Sequence, residues 1–291
     1  MVLIFCWVYD KIGLGHSPKP LEELLSGHLP LPPLRGNAFL LKMIYEDNLM
    51  KNFVITPQNA AECADKIVAW IKQKLSSAGA SGVVLGLSGG IDSAVVAYLC
   101  KRGGIPLHML MLPDGDNPME DAKLVLDDLG MEAGVVDVAP LAAMVEEPIG
   151  EMPEMARINI RPRLRMIMLY ALAGKHGALV AGTGNMSEIF TGYFTKWGDG
   201  ASDFMPLANL TKGEVWTLAR ELCIPSKIVD KTPSGDLFPG QTDESEMGFS
   251  YQQIDSFLLL GSSGDDAIDE RLRARNRVME HKNSAVEKFC G

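Results

Sequence analysis

Leu85-Gly86-Leu87-Ser88-Gly89-Gly90-Ile91-Asp92-Ser93-Ala94-Val95 is the stretch around which the rest of the chain is arranged. Just upstream, Val83-Val84-Leu85-Gly86-Leu87 is a short apolar run bounded by Gly82, the pattern of a buried parallel strand. Downstream, Asp92 to Leu99 reads as a helix ending near Gly103-Gly104. The turn between them, Ser88-Gly89-Gly90, lets the backbone approach a ligand closely. The helix start behind it offers unpaired N–H groups and a positive dipole end. The stretch reads as a cradle for phosphate or pyrophosphate.

The loop lacks the G-x-x-x-x-G-K-[ST] spacing and the lysine of a Walker A loop, and it is not G-x-G-x-x-G. Taken alone, a Ser-Gly-Gly turn is what many strand-to-helix connections use. Ser88-Gly89-Gly90-Ile91-Asp92-Ser93 adds two hydroxyls and a carboxylate with no fixed lysine. That set suits release of Mg-bound pyrophosphate from ATP while the α-phosphate is transferred. The six residues resemble the signature of the ATP pyrophosphatase (PP-loop) superfamily of adenylating enzymes.

Composition narrows the field. The chain has 291 residues, enough to bury a substantial core, with 47% hydrophobic residues and a mean hydropathy of +0.07, so it reads as globular. No run is apolar enough to cross a membrane. A formal net charge of -10 argues against non-specific nucleic-acid binding, which needs a basic surface. The five cysteines, Cys6, Cys63, Cys100, Cys223 and Cys290, form no C-x-x-C pair. A reducing cytoplasm is the default, and each is read as a small buried apolar residue.

Residues 1–49 differ from the rest of the chain, being rich in Pro and Leu without a helical or strand period. They read as an N-terminal extension, either a disordered arm or sequence upstream of a true start at Met50. Residues 50–291 read as the catalytic domain. Thr56-Pro57 predicts a helix start, with Thr as N-cap and Pro at the first helical position. Ala64, Ile67, Val68, Ile71 and Leu75 supply its apolar stripe, and Trp70 is assigned to core packing. Leu107–Leu112 is a second strand, whose His108 reads as a core or edge residue, and Pro113–Asp116 is a turn on the ligand side of the sheet. A helix from Asn117-Pro118 turns Ala122, Val125, Leu126 and Leu129 inward, and Gly134–Val138 is a third strand. Asp137 is open between a ligand and a turn residue. Strand–helix–strand–helix–strand at these intervals predicts an α/β fold with a doubly wound, mostly parallel sheet and helices on both faces. Glu151–Ile160 is read as a loop, and Arg161-Pro162-Arg163-Leu164-Arg165 opens a helix. That arginine cluster fits either a solvated face or a ligand contact.

Ala178–Ala181 reads as a fourth strand, and Gly182-Thr183-Gly184-Asn185-Met186-Ser187-Glu188 as its ligand-side turn and helix start. Thr191 to Asp203 is neither amphipathic nor alternating, and it sets aromatic, hydroxyl and charged groups between glycines, as a small-molecule loop does. Joined to Ser88–Ser93, this block resembles the NAD synthetase family. The likeness continues through Pro206–Lys212, Thr232–Leu237, Gln241–Tyr251 and His281-Lys282. Thr211 with Glu214, and Ser250 with Gln253, are capping boxes, so Lys212 sits at a helix entry and Asp243–Phe249 is read as a loop beside the site.

The resemblance implies that Gly86, Leu87, Ser88, Gly89, Gly90, Ile91, Asp92 and Ser93 bind ATP, with Thr183, Lys212 and Ser234. It implies Mg²⁺ on Asp92 and Glu188, and Arg163, Lys196, Asp203, His281 and Lys282 on deamido-NAD. Asp92, Lys212 and Asp203 are the expected catalytic residues, with Asp199 or Asp203 open as the group that deprotonates ammonium. Two departures stand out: Asn283-Ser284-Ala285-Val286 replaces a usual arginine and prolines, and Pro162 stands where Ala is common. The implied reaction amidates deamido-NAD with ammonia through an acyl-adenylate, releasing AMP and pyrophosphate. Residues 1–55 are too short for a glutaminase domain, so free ammonia, or ammonia from a separate partner protein, is the expected donor. The family is similar to homodimers with sites at the interface. The rivals are another PP-loop enzyme, such as a GMP synthetase core or a tRNA thiolase, and a nucleotide-sensing module that binds ATP without making AMP.

Overall fold

Val83, Val84 and Leu85 are all inaccessible to solvent, which a strand reaches only when both faces of its sheet are covered. The computed structural model describes residues 54–117, 119–234, 242–284, 286 and 289. The extension 1–49, the start at Met50, Cys6, Cys290 and part of the Thr232–Tyr251 motif region lie outside the described residues. Strand β1 (Val83–Gly86) pairs with β2 (Leu107–Met111) on one side and β4 (Leu179–Val180) on the other. Strand β3 (Gly134–Val135) lies beyond β2. All pairs are parallel and the order is β3-β2-β1-β4. The winding direction therefore reverses between β1 and β4, where an open α/β sheet leaves a crevice at its strand ends.

Side chains alternate across the sheet. Val83, Leu85, Met109 and Met111 face helices α1 (Ala60–Ala78), α2 (Ile91–Arg102) and α3 (Glu120–Leu129) in one core. Val84, Leu110 and Val180 face Met166, Leu169 and Ala173 of α6 (Ile160–His176) in another. The doubly wound sheet expected from the sequence is present. Helices α4 (Ala139–Ile149) and α5 (Glu154–Ile158) precede α6. After β4 come α7 (Met186–Thr191), α8 (Lys212–Glu221), α9 (Ser226–Val229), α10 (Asp243–Met247), α11 (Tyr251–Leu260) and α12 (Asp266–Asn283). Phe190, Phe257, Tyr251 and Leu272 join α7, α11 and α12 in a third cluster.

Several local expectations are corrected. Helix α1 starts at Ala60, not at Thr56-Pro57, because Asn59 closes a turn first: its Oδ1 accepts the Thr56 N–H at 2.8 Å. The expected loop 151–160 contains α5, one turn entered through Pro153 in extended geometry. The expected loop 243–249 contains α10, capped by the Thr242 hydroxyl and closed by Gly248 in the left-handed region. Strand β3 is shorter than 134–138, although the Val136 and Val138 N–H groups continue the ladder to Met111 and Pro113. The helix expected from Asn117-Pro118 begins at Glu120. Cys63 and Cys100 are buried as read, but Cys223 is exposed, on a turn with φ of 57°. Both capping boxes formed. Trp70 lies edge-on to Phe204, and His108 stacks on His176 with centroids 3.9 Å apart.

Candidate active site

The Ser88-Gly89-Gly90 turn is braced from within. Ser88 Oγ accepts the Gly90 N–H at 3.1 Å, Ser93 Oγ donates to the Gly90 carbonyl at 3.0 Å, and the Ser88 N–H points to Ser93 Oγ at 3.3 Å. The two glycines differ in purpose. Gly89 has φ of 83°, and a Cβ there would lie 2.6 Å from the Ala122 nitrogen, so its bare Cα is required by α3 and not by a ligand. A Cβ on Gly90 would meet only Ser88 Oγ. Gly90 is the N-cap of α2 and no side chain caps that helix, which leaves its first N–H groups aimed outward for an anion.

Three chain segments converge at this helix mouth. Lys212, the first residue of α8 and 2% exposed, sets its Nζ 2.7 Å from Asp92 Oδ2 and 3.2 Å from Glu188 Oε1. The same ammonium lies 5.0 Å from the Tyr251 ring centroid, a favourable face for a cation. Asn185 caps α7 in a reciprocal box with Glu188, and its Nδ2 donates to Asp92 Oδ1 at 2.9 Å. The Tyr251 hydroxyl donates to Asp243 Oδ2 at 2.8 Å and lies 3.4 Å from Glu188 Oε1. Burial pushes the Glu188 carboxyl up to about 7 against the pull of Lys212, and Asp92 adds to the rise. Burial alone would lower the Lys212 ammonium, but Asp92 and Glu188 hold it above its usual range. Asp243 is raised, chiefly by burial.

Asn185, Asp243 and Tyr251 had no functional role in the sequence reading. Asn185-x-x-Glu188 carries the capping-box pattern that could have marked the first. The other two lie in α10 and at the start of α11, which only the fold brings to Glu188.

The cluster opens into a cleft of about 600 Å³ between β1 and β4, within the size range of ligand sites. Gly86, Leu87, Ser88, Gly90, Ile91, Asp92, Ser93, Thr183, Glu188, Lys212, Ser234 and Lys282 all line it, so most of the expected ATP residues border one cleft. A chamber of about 320 Å³ adjoins it, lined by Thr183, Glu188, Asp199 and Lys282 among others. The other expected substrate residues are elsewhere. Arg163 Nε donates to the Lys196 carbonyl at 3.3 Å, and Lys196 Nζ donates to the His281 carbonyl, so these three form an outer rim. Asp203 accepts the Val180 N–H at 2.7 Å, as an anchor for the end of β4. Arg161 pairs with Asp114 and Glu146, and Arg165 donates to the Leu112 carbonyl; both brace α6. Asp137 accepts the Gly115 and Ala139 N–H groups as a turn residue.

Among the described residues no group of three or more His, Cys, Asp or Glu side chains is arranged to hold a metal ion by itself, so a divalent cation here would need oxygens of a bound substrate beside the carboxylates. Three carboxylates, Asp92, Glu188 and Asp243, face one ammonium, leaving the cluster net negative when all are ionised. Among the described residues, the buried Asp243 Oδ1 has no hydrogen-bond partner. Carboxylate oxygens beside a cleft large enough for a nucleotide are the ligands Mg²⁺ takes together with substrate phosphates.

A parallel sheet carrying a self-braced Ser-Gly-Gly turn and an uncapped helix mouth at its switch point is the arrangement of a site for a phosphate-bearing ligand. A family model described as NAD synthase matches residues 63–290. The chain belongs to the NAD synthase family. It is 44% identical over 235 residues to the NH(3)-dependent NAD(+) synthetase of Archaeoglobus fulgidus, covering 79% of this chain and 95% of that one. Among solved structures it is similar to the NMN synthetase of Francisella tularensis, with a TM-score of 0.75 and 38% identity, covering 81% of this chain and 99% of that one. It is also similar to the NH3-dependent NAD synthetase of Campylobacter jejuni, with a TM-score of 0.69 and 30% identity, covering 79% and 99%.

Proposed function

We propose that this chain amidates deamido-NAD with ammonia, at the expense of ATP, to give NAD, AMP and pyrophosphate. The observation that carries the reading is Lys212 held between Asp92 and Glu188 at the uncapped mouth of α2. The nicotinate carboxylate attacks the α-phosphorus, an O–P bond forms, and pyrophosphate leaves. Ammonia then attacks the carbonyl carbon of the acyl-adenylate, and AMP departs with the former carboxylate oxygen. No protein nucleophile is needed, so the chain's work is positioning and charge neutralisation. The N–H groups behind Gly90 and the hydroxyls of Ser88 and Ser93 receive the phosphates, and Thr183 and Ser234 bound the nucleotide. Lys212 steadies the charge that moves from the α-phosphate to the leaving pyrophosphate. Asp92 and Glu188 are the residues that would hold Mg²⁺, which supplies charge neutralisation on the triphosphate. Asp199 faces the smaller chamber beside Glu188, which favours it over the strand-bound Asp203 as the group that takes a proton from ammonium.

Arg163, Lys196, His281 and Lys282 are proposed to hold the dinucleotide, Asp203 acting through the end of β4. Three of them stand on an outer rim. The nearby helices α4–α6 leave Met144, Met155 and Ile167 well exposed, which supports a homodimer in which a second copy completes the site. A second reading is favoured by the likeness to the Francisella NMN synthetase: the same amidation on a mononucleotide acid, giving NMN. A coupled assay with ATP, Mg²⁺ and ammonium, comparing the dinucleotide and mononucleotide acids, separates them. Equal NAD and AMP from deamido-NAD, without glutamine, is the expected result. Faster turnover of the mononucleotide would overturn the substrate assignment, and ATP binding without AMP would leave a sensing module.

A further inference from the structure

Helix α8 begins at Lys212, and its first three N–H groups are met by three separate side chains. Ser187 Oγ accepts from Lys212 at 3.1 Å, Asp255 Oδ2 accepts from Gly213 at 2.7 Å, and Thr211 Oγ1 lies 3.4 Å from the Glu214 nitrogen. Thr211 is the local cap; the other two come from α7 and α11. They are also joined to each other, because Ser187 Oγ donates to Asp255 Oδ1 at 2.6 Å. Ser187 is fully buried and is the residue directly before Glu188. One hydroxyl thus fastens the backbone at Lys212 to the helix turn that carries Glu188, and one carboxylate holds that hydroxyl and the next N–H together. Neither side chain lines the cleft of about 600 Å³.

We propose that Asp255 and Ser187 are positioning residues, a clamp that sets the Lys212 ammonium against Glu188 and Asp92. The inference rests on the catalytic role proposed for Lys212. A carboxylate suits the place, because it faces the positive end of α8 and accepts two donors at once. Helix α11 touches the cluster a second time through Tyr251, whose hydroxyl reaches Glu188, so α11 is fastened to both the lysine helix and the carboxylate. Loosening the clamp shifts Lys212 without removing any group that meets substrate.

The test is a double-mutant cycle on single-turnover AMP formation, using Asp255→Asn and Ser187→Ala alone and each combined with Lys212→Met. In the otherwise unchanged enzyme, each is expected to slow AMP formation about tenfold to hundredfold, the effect of a misplacement of roughly 1 Å. The KM for ATP should stay within about twofold. In the Lys212→Met background the same changes should cost less than about twofold, because the residue they act through is gone. Reductive methylation mapped by mass spectrometry gives a readout independent of activity: Lys212 should be protected in the native enzyme and labelled in both clamp variants. Equal losses with and without Lys212, or a protected Lys212 at normal rate, would overturn the clamp. Full activity of Lys212→Met alone would instead overturn the role of Lys212. Should Asp255→Asn fail to fold, Ser187→Ala carries the same cycle.

Discussion

The side-chain amide of Asn185 donates to Asp92 Oδ1 at 2.9 Å while its carbonyl oxygen accepts the Glu188 N–H at 3.0 Å. The cap of one helix therefore orients the carboxylate at the mouth of another. Asn185→Asp keeps a capping acceptor but sets a second anion against Asp92. Asn185→Ala loses both bonds, with a cap worth about 1 kcal/mol. Thermal melting should fall more for Ala, and AMP formation should drop in both, by about tenfold or more. Melting curves and initial rates on the pair separate the two functions of this one side chain.

Asp92→Asn and Glu188→Gln should each raise the Mg²⁺ concentration needed for half-maximal AMP formation and lower the plateau, on the order of a hundredfold for a lost charge-stabilising group. A magnesium titration checks this. Unchanged curves in both variants would remove these carboxylates from the metal's ligand set.

The elevated Glu188 carboxyl has a consequence for stability. Its ordinary value is 4.5 and the folded protein holds it at about 7, so within that window the native state binds a proton that the unfolded chain has lost. Stability therefore falls as pH rises across the window, and above about 7 the full cost of the buried charge is present. Glu188→Gln should melt higher than the parent at about pH 8 in metal-free buffer, with the difference shrinking towards about pH 5. Calorimetry at the two pH values reads the sign directly.

Arg163 and Lys196 meet on the outer rim, away from the phosphate turn. Lys196→Ala and Arg163→Ala should raise the KM for deamido-NAD by about tenfold and leave the KM for ATP near its parent value. Steady-state kinetics with each substrate varied in turn checks the split. A shared rise in both constants would argue for a general loosening of the 191–203 loop.

The parts of this protein that were legible in the sequence are those decided within a few residues. The run Val83–Leu87 followed by two glycines could only be a buried strand and a turn, and the Thr211/Glu214 and Ser250/Gln253 boxes announced helix entries that formed as read. What stayed hidden is long-range. Asp92 and Lys212 are 120 positions apart, and their contact depends on α8 packing against α2. Single-turn helices such as α5 and α10 are too short to display a period, so they read as loops. Asp199 and Asp203 stand four residues apart in the same loop. Only the backbone path reveals that the second anchors the Val180 N–H while the first, which accepts the Thr195 N–H, lines a chamber.

The Glu214 side chain that closes the cap of α8 also reaches the chain ahead of α1. Its Oε1 accepts the backbone N–H of Ile55 at 2.8 Å, across 159 positions, while Oε2 accepts from Thr211. Ile55 is itself buried. The helix that begins at Lys212 is thus tethered, through the Glu214 carboxylate, to the strip of chain just ahead of α1. The amide of residue 55 is accordingly a keystone for a helix that starts far along the chain: removing the Ile55 N–H would leave Glu214 Oε1 without this donor and loosen the cap at Lys212.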